Sequence, residues 1–149
     1  MKQRERGVTL IEIAVVLAIV GIMALFMAPA IGEWIDNFRI RQAARDISST
    51  LQQAKMKAIS SRLQYRVVFN VGTETYQLWK NDAGWVTEGN ANTVPRGVDI
   101  DNTGFTADTV LFNINGTASE NGTITIDNAK GKQYQININT VGRVSIQEI

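Results

Sequence analysis

Between residues 13 and 31 the chain carries no charged and no hydroxyl-bearing side chain: IAVVLAIVGIMALFMAPAI. A helix rises about 1.5 Å per residue, so roughly 20 such residues match a hydrocarbon core about 30 Å thick. With Val8, Leu10 and Ile11 included, this segment is long enough to span a bilayer. The preceding heptapeptide, MKQRERG, holds Lys2, Arg4 and Arg6 against Glu5. Positive charge beside an apolar segment favours the cytoplasmic side, which sends the chain beyond Ile31 outward.

Glu12 breaks the apolar pattern near its start. An unpaired carboxylate at mid-bilayer costs at least about 2.5–3.5 kcal/mol on insertion scales, so a partner is expected. A cut after Gly7 would supply one. It exposes the α-amine of Val8, about one helical turn from Glu12 in the same chain or beside it in a staggered neighbour. In an apolar setting such a pair orients strongly, because breaking it strands a buried charge. Two other readings remain open on the residues alone. One is a plain signal anchor with an incidental Glu12. The other is a secretory signal cut after Ala28-Pro29-Ala30, which leaves a soluble binding domain starting near Ile31, although the apolar run exceeds the usual ~7–15-residue core of such signals.

Gly7-Val8-Thr9-Leu10-Ile11-Glu12 resembles the class III signal of type IV prepilins and type II secretion pseudopilins, with Val8 where the family usually has Phe. The resemblance implies cleavage after Gly7 by a prepilin peptidase, methylation of the Val8 amine, and assembly guided by Glu12 pairing with a neighbour's N-terminus. It also implies storage in the bacterial inner membrane with the head in the periplasm, then transfer of the helix into a periplasmic pseudopilus or surface pilus. Gly21 and Pro29 fall where family helices carry a flexible glycine and a kinking proline. Physically, Pro29 removes one helix hydrogen bond and bends or melts the turn before it.

Beyond the run, Ile40, Ala44, Ile47, Leu51, Ala54 and Ala58 recur at spacings of three and four, one stripe of an amphipathic helix. Arg41, Arg45, Lys55 and Arg62 take mostly other faces, as a solvated surface or as contacts to acidic neighbours. Alternating runs at 65–69 and 75–79 around Gly72 predict a hairpin. Further strands are predicted at 110–114, 123–127, 134–138 and 144–146, separated by Asn115-Gly116, Asn121-Gly122, Lys130-Gly131 and Val141-Gly142 turns. The stretch 81–109, rich in Gly, Asn, Asp and Thr, is predicted as the longest loop. The expected organisation is a leader at 1–7, a transmembrane or filament-core helix at 8–31, an amphipathic continuation at 32–62 and a β-rich head at 63–149. The fold class is α+β, a long helix packed on a small antiparallel sheet head.

This second half is similar to the H-type minor pseudopilins and the FimT/FimU-type minor pilins. The resemblance rests on Ala43-Ala44-Arg45, Gln53-Ala54-Lys55, Val94-Pro95-Arg96-Gly97-Val98, Phe112-Asn113-Ile114-Asn115-Gly116-Thr117-Ala118 and Gly142-Arg143-Val144. It implies a structural subunit of a secretion pseudopilus or of a pilus, whose partners are other pilins or pseudopilins.

Composition argues against chemistry. The chain has neither histidine nor cysteine, which removes the commonest general base, the commonest metal ligand and any disulfide. No phosphate-binding glycine loop or catalytic triad is present, so neither an enzyme nor a cofactor is expected. Asp99-Ile100-Asp101-Asn102-Thr103-Gly104 begins like a calcium loop, but Val110 stands where such a loop needs its glutamate. The net charge of +1 hides a segment 33–66 at +4 and a segment 67–149 at −4. Loss of the leader removes three bases and one acid and leaves −1. Some FimT-type proteins bind DNA through a Gly-Arg-x-Arg pattern. Here Gly142-Arg143 is followed by Ser145 at the second arginine position, so DNA is disfavoured as a partner, with Arg143, Lys130 and Lys132 the only candidate patch. Trp34, Trp79 and Trp85 are expected at the membrane interface, in the core and in a loop, respectively.

Overall fold

The computed structural model describes residues 8–149, with backbone only for 25–31. A helix, α1, runs from Leu10 to Ser61 and is helical at both Gly21 and Pro29. The leader, including Gly7, lies outside the described residues. The chain divides into two compact units, Met1–Ile35 and Asp36–Ile149.

In the first unit the described apolar side chains are exposed. Leu10, Ile11, Leu17, Val20 and Met23 are all more than half accessible. Among the described residues no helix is long and apolar enough to cross a membrane; the side chains of 25–31, the second part of the apolar run, are not among them.

The second unit is built on the expected helical stripe. Ile40, Ala44, Ile47, Leu51, Ala54 and Ala58 are all fully buried, and Ala43 joins them. The helix ends at Ser61, where Arg62 takes a left-handed backbone (φ 55°) and turns the chain into the first strand. Nine strands follow. They are β1 (Tyr65–Asn70), β2 (Thr75–Asn81), β3 (Trp85–Thr87), β4 (Asn92–Thr93), β5 (Val98–Thr103), β6 (Thr109–Phe112), β7 (Gly122–Asn128), β8 (Gln133–Ile138) and β9 (Val144–Glu148). They form two antiparallel sheets, one ordered β3-β2-β1-β6 with β4 also on β2, the other β5-β7-β8-β9.

Alternation sets which residues face inward. Val67 and Phe69 of β1, Tyr76 and Leu78 of β2, Ile124 and Ile126 of β7, and Tyr134, Ile136 and Ile138 of β8 are buried in one cluster with the helical stripe. Three of the tight turns are held by asparagine carboxamides bonding the backbone just ahead, a local geometry that asparagine favours. Asn70 accepts from the Gly72 and Thr73 amides, Asn128 from Lys130 and Lys132, and Asn139 from Arg143.

The antiparallel head is made of two sheets sharing one core. One sequence expectation changes. The predicted loop at 81–109 holds β3, β4 and β5, followed by a 3-10 turn at Thr106–Asp108. In β5 the Val98 and Ile100 side chains are buried, but a register shift between Ile100 and Asn102 interrupts the alternation that would have revealed a strand.

Candidate assembly surfaces

At the start of α1, Thr9 is the helix N-cap. Its Oγ1 accepts from the Glu12 amide at 3.3 Å, and its carbonyl accepts from the Glu12 and Ile13 amides. Thr9-x-x-Glu12 therefore has the spacing of a capping box, a signal that the sequence itself carries. Glu12 sits in the first turn, where the free N–H groups of a helix favour negative charge. Val8, Leu10 and Ile11 around it are exposed.

In the second unit the quoted motifs converge on one place. The Lys55 Nζ donates to the Gly142 carbonyl at 2.9 Å. Gly142 has φ 75°, and a Cβ there would lie 2.1 Å from the Gly116 carbonyl oxygen. A Cβ on Gly116, φ 81°, would lie 2.6 Å from Ile59 Cδ1. The Asn115-Gly116 and Val141-Gly142 turns thus stack closely under the helix at Lys55 and Ile59, and only glycine fits. The Ala118 amide, donating to the Thr140 carbonyl at 3.0 Å, ties the same two turns together.

The candidate cationic patch is not assembled. Lys130 pairs with Asp36 at 3.3 Å and Lys132 with Glu148 at 2.6 Å. Lys132 and the Tyr134 hydroxyl together hold the Glu148 carboxyl below its ordinary range. Arg143 lies at the other end of β8, roughly 20 Å away at about 3.3 Å per residue. Asp99 faces Asp127 across β5 and β7. Desolvation first, then the charges of Asp101 and Asp99, push the Asp127 carboxyl up. Among the described residues no group of three or more histidine, cysteine, aspartate or glutamate side chains is placed to hold a metal ion.

Trp79 and Trp85 are placed differently from expectation. Trp79 alternates with buried Leu78 and so faces outward, away from the core. The Arg66 guanidinium lies 5.2 Å from the Trp79 ring centroid and 4.2 Å from that of Trp85 in β3, a cation–π arrangement. Trp34 is exposed.

Residues 43–142 match the family model described as type II transport protein GspH, and residues 2–28 match the prokaryotic N-terminal methylation motif. The chain belongs to the GspH family. A fimbrial protein of Dichelobacter nodosus is 30% identical over 131 residues, covering 78% of this chain and 79% of that one. Among solved structures, the minor pseudopilin EpsH of the Vibrio cholerae type 2 secretion system has the same fold. Its TM-score is 0.65 at 18% identity, with 74% of this chain and 97% of that one covered. The type IV minor pilin FimU of Pseudomonas aeruginosa gives 0.62 at 16% identity, with 76% and 92% covered. This GspH-family chain is thus a structural subunit of the pilin and pseudopilin kind, with a processing motif at its N-terminus. The GspH match opens at buried Ala43 and closes at Gly142, so it spans both ends of the helix-to-turn contact described above.

Proposed function

We propose that the chain is a minor subunit of a type II secretion pseudopilus. Prepilin peptidase cuts between Gly7 and Val8, Val8 is N-methylated, and 8–31 holds the subunit in the inner membrane with its head in the periplasm. Gly21 and Pro29 give that segment its flexibility. On assembly the apolar helix leaves the bilayer for the filament core, where Glu12 pairs with the N-terminus of a neighbour.

The observation that supports this reading is the Thr9 cap. It leaves Val8 just outside the first turn and Glu12 within it, so the amine freed by cleavage and the carboxylate share one helix end. Two charges on an otherwise apolar, exposed surface need each other once water is removed. The test is the intact mass of the protein extracted from membranes. A chain starting at Val8 with one added methyl group is the expected result; a retained leader, or a start at Ile31, overturns the reading.

A second reading, a minor subunit of a type IV pilus, is favoured by the fimbrial relative. Deleting the secretion genes or the pilus genes of the host, and following which filament loses the subunit, separates the two. DNA uptake is disfavoured by the ion-paired state of Lys130 and Lys132. Retention of DNA by the protein at low salt, falling steeply as salt rises, would restore it.

A further inference from the structure

Each sheet has edges, and an uncovered edge is a template for another strand. The long edges are managed unequally. On β5 the Ile100 amide is taken by the Glu74 carboxylate at 2.6 Å. On β6 the chain folds back, so that the Ser119 amide and hydroxyl both donate to the Leu111 carbonyl. Among the described residues, strand β9 pairs only with β8. The Asn139 amide donates to the Arg143 carbonyl and the Ile149 amide to the Gln133 carbonyl, which fixes the phase of the ladder. Bonded pairs alternate in an antiparallel ladder, so Val144, Ile146 and Glu148 turn their N–H and C=O groups outward.

Beside this edge the helix stands off from the sheet. Two recesses, of about 330 and 350 Å³, lie in series between the flank of α1 and β9. One is lined by Arg41, Arg45 and Ile146 over a floor of Ala44 and Tyr134. The other is lined by Lys55, Met56, Arg143 and Val144. Helix residues 41 to 56 span about 22 Å, and an extended strand of six residues spans about 20 Å, so the groove and the edge match in length. Four cations line the recesses, and neither lining includes an acid. Lys55 is tied to Gly142, and the Arg41 guanidinium lies against the Tyr134 hydroxyl. The Arg45 and Arg143 side chains make no hydrogen bond or ion pair among the described residues.

We propose that β9 and the adjoining flank of α1 accept an extended strand from a partner subunit, which pairs with Val144, Ile146 and Glu148. That strand turns every second side chain into the groove, and along that one face apolar groups lie over Ile146 and Met56 and carboxylates opposite Arg45 and Arg143. The bare backbone edge selects a peptide over a nucleic acid, because outward N–H and C=O groups in β register match another strand. The one aromatic ring in the groove, Tyr134, is buried and offers no stacking platform.

The proposal rests on the reading of the chain as a filament subunit, and its test is independent of processing. The probe is a short, end-capped peptide with threonine at every second position and aspartate and valine in turn at the positions between, so that both share one face; it is titrated into the full-length protein in detergent and followed by residue-resolved amide exchange. Exchange is expected to slow at Val144, Ile146 and Glu148 and not at Ser145 or Gln147. A lysine–valine peptide should bind about tenfold more weakly or worse, as should the aspartate peptide with Arg45→Glu protein. N-methylating alternate peptide amides should abolish binding in one phase and spare it in the other. The proposal is overturned by no binding, by equal binding of both N-methylated phases, by slowed exchange elsewhere only, or by an oligothymidylate that protects the same amides more strongly. Failure here alongside a Val8 start by mass removes the groove and leaves the filament reading; the reverse pair of results does the opposite.

Discussion

The Lys55 ammonium donates to the carbonyl of Gly142 at 2.9 Å, joining two residues 87 positions apart in the chain. The bond reaches from the helix to the turn between β8 and β9, at a point where two left-handed glycines are stacked. It fixes where the last hairpin sits under the helix, and with it the position of the uncovered edge.

Replacing Gly142 by alanine forces a left-handed backbone on a residue with a Cβ and drives that Cβ to 2.1 Å from the Gly116 carbonyl oxygen. The strained backbone alone costs about 1–3 kcal/mol, and the clash adds to it. Lys55→Met keeps the side-chain stem but loses the charge-assisted bond, about 1–3 kcal/mol. Denaturant unfolding followed by tryptophan fluorescence should rank Gly142→Ala as the more destabilised of the two. Equal stability of Gly142→Ala and the parent would contradict the close approach.

The helix meets the sheets through small side chains. Ala54 is fully buried, so Ala54→Leu inserts volume where there is none and should cost about 1–3 kcal/mol. Ile47→Ala leaves a cavity in the same stripe and should cost about 2–5 kcal/mol. Both are read from thermal unfolding, and a gain in melting temperature for Ala54→Leu would refute tight packing at that position.

Two carboxylates give opposite pH signatures. Lys57, by its hydrogen bond, holds Glu88 below the ordinary glutamate range, so its contribution is present above the unfolded-state pKa and is lost as pH falls through the folded one. Glu88→Gln should flatten the acid limb of the stability curve. Asp127 is pushed up, so the folded state binds its proton more readily than the unfolded state. Stability from this group therefore falls as pH rises from the ordinary aspartate range through the raised value. Asp127→Asn should raise the melting temperature at neutral pH and leave it unchanged well below the ordinary range.

Thr9→Val removes the side-chain cap and should cost the first helical turn about 1 kcal/mol, read as faster amide exchange at Glu12. Glu12→Gln keeps the helix and should keep cleavage at Val8, yet lower incorporation into filaments. Wild-type incorporation of that variant would remove the proposed pairing with a neighbour's amine.

What could be read in advance followed from local physics. The stripe from Ile40 to Ala58 is a periodicity, and every member of it is buried. The β1–β2 hairpin is an alternation around an asparagine turn. What escaped depends on distant partners or on a broken pattern. In β5 the shift after Ile100 hides the period, and its Asp and Asn residues imitate a loop. Trp79 reads as core by its apolar surface, but the parity of β2 sends it out to Arg66. Gly116 and Gly142 look like ordinary turn glycines, and nothing local reveals that each occupies space a Cβ would need. Lys130 and Lys132 look free in sequence, whereas Asp36 and Glu148 neutralise them from far along the chain. Thr9-x-x-Glu12 is a cap legible from local sequence alone.

The buried stripe also has a mechanical consequence. A pull along the axis of the helix between Asp36 and Ser61 loads Ile40, Ala44, Ile47, Leu51, Ala54 and Ala58 in shear, so all of them must slip together, with Lys55 dragging on its carbonyl. Tension in that direction is shared across the row, whereas a sideways force would peel the contacts one turn at a time. A subunit gripped by its helix would hold its head most firmly under load along the helix axis.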